Sequence, residues 1–191
     1  MARATLVLPP CLISPYTVYR GAVEKDRLAA WEVRRLLGAS PQLDVLSYPC
    51  PELMLLGFPR PPAPREVYER LGMPELARKI ADFLLRVISE EKPDHTVVVG
   101  IKGSPTCAAF TSSSGDPQDY PYKFLRRFRD LPKRERLVVA REISRQLSPC
   151  ARPGLLFEIL QGRIPGTFLD FDKENLAGSL TALREALPSQ A

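Results

Sequence analysis

The sequence predicts an α/β protein, a single three-layer domain with a mostly parallel sheet and helices on both faces. Apolar, β-branched runs alternate along the chain with segments of helical periodicity. One run, TVVVGI at 96–101, has the continuous apolar character of a central strand buried on both faces. The length of 191 residues, 45% of them hydrophobic and 26% charged, suffices for a full core without metal or disulfide staples. No apolar run approaches the roughly 20 residues of a membrane span. The opening Leu6, Val7 and Leu8 are broken by Pro9 and Pro10, so no leader and no membrane partner is expected, and a cytoplasmic protein is.

Taken in order, residues 5–8 read as a short buried strand that Pro9 ends. Residues 27–37 read as a helix with Ala29, Val33, Leu36 and Leu37 on its inner face and Gly38 as its stop. The second strand is 43–48. A proline-laden loop is expected over 49–64, then a short helical piece over 66–71. The clearest helix spans 74–90, with proline near its first turn and Leu76, Ile80, Phe83, Leu84, Val87 and Ile88 at helical spacing. The run at 96–101 is the third strand. A polar, turn-rich loop covers 111–122, a basic helix 133–147, and Gly154 opens a strand candidate, LLFEIL, at 155–160. A last helix covers 174–187. No repeat or linker divides the chain, so 1–191 is read as one domain with right-handed crossovers.

Four cysteines, Cys11, Cys50, Cys107 and Cys150, lie 39, 57 and 43 residues apart with no CxxC pair, which is not a disulfide framework. Cys11 follows the first strand, Cys50 the second, and Cys107 lies in the loop leaving the third. All three fall at the carboxyl ends of strands, the edge where open α/β sheets bind ligands. Each stands near proline, in Pro9-Pro10-Cys11, Pro49-Cys50-Pro51 and Ser104-Pro105-Thr106-Cys107, and proline restrains a loop that must hold a ligand. One site built from loops 9–21, 49–64 and 102–110 is therefore expected. Cys150, ahead of the fourth strand candidate, and His95, the only histidine, belong toward the opposite end.

Three thiolates without imidazole suit either zinc or an iron-sulfur cluster. A [4Fe-4S] cluster on three cysteines keeps one iron without a protein ligand, a Lewis-acid position with affinity for sulfur. Glu52, two residues after Cys50, and Ser104, three before Cys107, are placed to reach such a position. A carboxylate there positions or deprotonates water, and a hydroxyl passes a proton. Arg60 and Lys102, close to the same loops, are candidates for anchoring a negative charge on the substrate.

The net charge of +5 is concentrated: the stretch 123–145 holds nine basic residues (Lys123, Arg126, Arg127, Arg129, Lys133, Arg134, Arg136, Arg141, Arg145) against Asp130, Glu135 and Glu142. With Tyr120, Tyr122, Phe124 and Phe128 beside it, this stretch is either a solvated helix face or a docking surface for a polyanion such as tRNA.

Three segments, CLISPYTVYRGA at 11–22, PCPELMLLGFPRPPAPRE at 49–66 and GIKGSPTCAAF at 100–110, resemble in order the signature blocks of the thiouracil desulfurase family: CLxG with RYDG, CPE with a GLPxPRxP run, and SPSCG. The second block is the most specific, with Cys50, Pro51, Glu52, Pro59, Arg60, Pro61 and Pro64 in family-like places. Ser14, Val18, Arg20, Thr106 and Ala108 depart from the pattern, as in a divergent member. The resemblance implies a [4Fe-4S] cluster on Cys11, Cys50 and Cys107, with Glu52 as acid/base carboxylate and Ser104 as assisting hydroxyl. It implies hydrolytic removal of sulfur from a small thiolated nucleobase, nucleoside or similar heterocycle. The alternatives are an RNA-binding iron-sulfur protein acting on thiolated tRNA, and a non-catalytic zinc or iron-sulfur protein.

Overall fold

The computed structural model describes residues 3–188. Four strands, β1 (Ala4–Leu8), β2 (Leu43–Ser47), β3 (His95–Ile101) and β6 (Thr167–Phe171), form one parallel sheet in the order β2-β1-β3-β6. Two further strands, β4 (Ser112–Ser114) and β5 (Ser148–Cys150), make a separate antiparallel pair. The helices are α1 (Glu24–Gly38), α2 (Pro51–Leu56), α3 (Arg65–Arg70), α4 (Met73–Glu91), α5 (Lys123–Arg127), α6 (Lys133–Arg145), α7 (Leu155–Gln161) and α8 (Leu176–Ala186). Among the described residues no helix is long and apolar enough to cross a membrane.

The alternation of side chains along each strand builds the layers. Leu6, Leu8, Val97 and Val99 pack against Ala29, Val33 and Leu36 of α1 and Leu180 and Leu183 of α8. Val7 and Val98 point the other way, onto Ile80, Ala81 and Leu84 of α4 and Leu156, Phe157 and Leu160 of α7. A third cluster joins Val67 and Tyr68 of α3 to Met73, Tyr120, Leu155 and Ile143 of α6, and so holds the basic helix to the body. The layered α/β architecture expected from the sequence is the one observed. From β1 the chain steps to β2 on one side and then to β3 on the other, so the order reverses between β1 and β3. Ligand-binding crevices form outside the carboxyl ends of strands at such a switch point.

Several assignments change. LLFEIL is not a strand but α7, because Leu155, Leu156, Phe157 and Leu160 bury one helical stripe while Glu158 faces outward; the fourth strand of the sheet is Thr167–Phe171 instead. The segment 49–64 is not all loop: α2 begins at Pro51, whose fixed φ suits the first helical position. Cys150 therefore does not precede a sheet strand. It ends β5, opposite Ser112 in the small hairpin. Within α4, Phe83 stands 47% exposed, outside the buried stripe of Ala77, Ile80, Ala81 and Leu84.

Candidate active site at the sheet switch point

Three loops converge past the carboxyl ends of adjacent strands. After β1, Pro9 leads into a single 3-10 turn, Pro10–Leu12, that carries Cys11. After β2, Tyr48 and Pro49 bring Cys50 to the N-cap of α2, with Glu52 in the first helical turn. After β3 the chain turns through Lys102 and Gly103 and folds back on the strand, the Ile101 amide donating to the Cys107 carbonyl at 2.9 Å.

Two glycines make that return possible. A Cβ on Gly100 would stand 2.3 Å from the Cys107 carbonyl oxygen, and one on Gly154 would stand 2.4 Å from the Thr106 carbonyl carbon. The backbone of Thr106 and Cys107 is thus pressed between β3 and the start of α7. The amides of Gly154, Leu155 and Leu156 donate to the carbonyls of Ala108, Pro105 and Thr106 at 2.8, 3.1 and 2.8 Å. On the far side Asp170 of β6 accepts from the amides of Ala109, Phe110 and Thr111, the last two at 3.0 and 2.9 Å. Buried backbone groups of a loop must find partners, and these do.

Glu52 lies at the centre of a polar network, 9% exposed. Its Oε1 accepts from Ser104 Oγ at 3.1 Å and Thr106 Oγ1 at 2.9 Å. Its Oε2 accepts from Arg60 Nη2 at 3.2 Å, Arg60 Nε at 3.3 Å and Tyr68 OH at 3.4 Å. Ser104 Oγ also lies 3.2 Å from Cys107 Sγ and accepts from the Cys107 amide at 3.1 Å. Arg60 Nη2 reaches Cys50 Sγ at 3.4 Å, Arg60 Nη1 reaches the Thr17 carbonyl at 3.4 Å, and the Arg60 amide donates to Tyr19 at 2.8 Å. Arg60 therefore ties the second loop to the first.

Burial sets the electrostatics. It pushes the Cys11 and Cys107 thiols up, and the Cys50 thiol up to about 11, with the Glu52 carboxylate acting in the same direction. Each of the three thiols lies within electrostatic reach of the other two. For Arg60, burial is the largest influence and opposes the charged form, but the charge of Glu52, its hydrogen bond, and the nearby Cys50 and Tyr68 together more than offset it, so the guanidinium stays ionised. Among the described residues no three His, Cys, Asp or Glu side chains close to the spacing of a single metal ion.

The structure brings Cys11, Cys50, Cys107, Glu52, Ser104 and Arg60 to one place. Arg60 is engaged with Glu52 and Cys50 and is 3% exposed, so its charge is directed at the site's own groups. Lys102 stands outside this network, with a side chain 52% exposed and paired to Asp172 at 2.9 Å. His95 lies at the amino end of β3, its Nε2 2.9 Å from the Ala186 carbonyl. Sequence reading missed Tyr48, Tyr68 and Asp170, and of these only Tyr48 carried a local signal, its place two residues before Cys50.

No solved structure matches the chain. It is 32% identical over 68 residues to Uncharacterized protein MJ0003 of Methanocaldococcus jannaschii, an alignment covering 35% of this chain and 44% of that one. The chain thus spans less than half the length of this curated relative. A family model described as Putative 2-thiouracil desulfurase matches residues 3–189, which takes in all three cysteine loops, Glu52 and Ser104, and the chain therefore belongs to that family.

Proposed function

We propose that the protein is a desulfurase that hydrolyses the C=S bond of a thiolated nucleobase, nucleoside or similar heterocycle, water supplying the oxygen of the new C=O and sulfur leaving as hydrogen sulfide. The observation that carries this reading is the contact of Ser104 Oγ with both Glu52 Oε1 and Cys107 Sγ, at 3.1 and 3.2 Å. A proton acceptor, a proton carrier and a sulfur ligand meet at one point.

Three soft thiols without an imidazole are a donor set for an iron-sulfur cluster. Cys11, Cys50 and Cys107 would hold a [4Fe-4S] cluster, which when bound supplies a Lewis-acidic iron free to take a substrate sulfur. The remaining chemistry falls to the chain. Glu52 orients water and accepts its proton, directly or through Ser104, and a positioned acid-base group of this kind contributes about 10² to 10⁴ in rate. Arg60 and Tyr68 fix Glu52 Oε2, leaving Oε1, on the side of Ser104 and Thr106, to exchange the proton. No electron donor is needed, because neither carbon nor sulfur changes oxidation state.

Iron and acid-labile sulfide analysis of anaerobically purified protein tests the cofactor. About four of each per chain are expected, lost on replacing any of Cys11, Cys50 or Cys107 by alanine and kept in Cys150→Ala. Stoichiometric zinc, or equal loss in Cys150→Ala, contradicts the assignment.

A second reading makes the substrate a thiolated RNA. It is favoured by one observation: among the described residues, none of the nine basic side chains at 123–145 forms an ion pair, although Arg126, Arg127, Arg129, Arg134, Arg141 and Arg145 are exposed. Phosphates would satisfy such a surface.

A further inference from the structure

Glu52 needs a fixed carboxylate plane, and its own side chain does not supply one. The last torsion of a glutamate is broad, so a carboxylate anchored at one oxygen still swings the other. Arg60 and Tyr68 anchor Oε2 at 3.2 to 3.4 Å. Oε1 receives two hydroxyls, Thr106 at 2.9 Å and Ser104 at 3.1 Å, and the two are not equivalent.

A serine hydroxyl has one proton to give. Ser104 Oγ has three partners within reach, Glu52 Oε1 at 3.1 Å, Cys107 Sγ at 3.2 Å and Thr106 Oγ1 at 3.4 Å, and the residue is only half-buried. Thr106 is 0% exposed, and its bond to Oε1 is the shortest that Glu52 receives. β-Branching restricts its χ1. Its backbone is fixed as well, because the Leu156 amide donates to its carbonyl at 2.8 Å and Gly154 packs directly against it. The Thr106 amide in turn donates to Ser104 Oγ at 3.3 Å, so one rigid residue orients both of its neighbours. We infer that Thr106 is a positioning residue for the proposed reaction: it holds Glu52 Oε1 toward Ser104 and leaves Ser104 as the mobile member of the network that meets water and substrate. The inference rests on the desulfurase reading above.

The test is a double-mutant cycle on cluster-loaded protein, read by sulfide release from 2-thiouracil and by infrared spectroscopy of the Glu52 carboxylate, whose band is identified by its loss in Glu52→Gln. Thr106→Val removes the hydroxyl and keeps the branched shape. Its kcat is expected to fall at least roughly tenfold with KM near the wild-type value, and its Glu52 band to broaden as the carboxylate swings. Thr106→Ser keeps the hydroxyl and is expected to recover most of kcat and the narrow band. A residue that acts through Glu52 has nothing to act on once the carboxylate is gone, so Thr106→Val is expected to cost no further activity in the Glu52→Gln background. Wild-type kcat in Thr106→Val, or an equal loss in both backgrounds, overturns the inference and leaves the desulfurase reading standing. If Thr106→Val does not fold, Ser104→Ala decides: Thr106 still holds Oε1 there, so a narrow Glu52 band is expected, and a broadened one overturns the inference. A wild type that releases no sulfide from 2-thiouracil or 4-thiouracil overturns the desulfurase reading and this inference together.

Discussion

The carboxyl edge of the sheet and the cationic surface of α5 and α6 treat their polar groups in opposite ways. At the sheet edge Glu52, Arg60, Thr106 and Tyr68 are all buried, and each has a named partner inside the protein. On the helices the charges are exposed and, among the described residues, make no ion pair; Lys133 donates to the Ala22 carbonyl at 2.8 Å, and the Nε of half-buried Arg136 has no partner. A buried charge must be satisfied or the fold loses stability, whereas an exposed one costs little when left alone. The first region is therefore built for fixed geometry, and the second leaves its charge available to something outside.

Breaking the buried network gives the largest expected effect. Arg60→Ala leaves Glu52 without its ion-pair partner, at side-chain exposures of 4% and 12%. Removing one member of a buried pair typically costs about 3–5 kcal/mol. Urea unfolding of Arg60→Ala beside the double variant Glu52→Gln/Arg60→Met measures this, and the double variant is expected to be the more stable of the two. A smaller loss is expected where packing alone is disturbed. Gly154→Ala places a methyl against the Thr106 and Cys107 backbone. Overpacking of this kind costs about 1–3 kcal/mol, read as a lower melting temperature.

Charge reversal on the open surface should hardly touch stability. In the variant with Arg126, Arg127 and Arg129 all changed to Glu, the melting temperature and the cluster content are expected to match wild type. If the surface docks RNA, that variant loses tRNA binding, and the wild-type affinity falls steeply with salt. Salt-independent or absent binding assigns the charge to solvation and keeps the substrate small. A large drop in melting temperature would erase the contrast between the two regions.

What the sequence disclosed follows the range of the physics involved. TVVVGI, β-branched at every position but its glycine, reads as a buried strand, and Cys-Pro-Glu and Ser-Pro-Thr-Cys bring the proposed ligand and acid-base residues together within three residues of chain. LLFEIL was ambiguous because a six-residue apolar run fits a buried strand or a buried helix stripe equally well. The packing of Gly154 on Thr106, which sets the turn before α7, is a contact across 48 residues. A longer separation hid Asp170, whose grip on the amides of 109–111 spans about 60 positions. The sequence points Arg60 toward a negative charge on a substrate, whereas its partner is Glu52, eight residues away, brought close because α2 starts at Pro51 and the chain returns through residues 57–60.

Sulfide release from 2-thiouracil under anaerobic conditions, compared between wild type and Glu52→Gln at equal cluster content, tests the central claim most directly. Glutamine keeps the shape of Glu52 and removes the proton acceptor. Wild type is expected to release sulfide, and Glu52→Gln to do so at least roughly a hundredfold more slowly while retaining the visible absorption of the cluster. Wild-type-like release by Glu52→Gln would contradict the account.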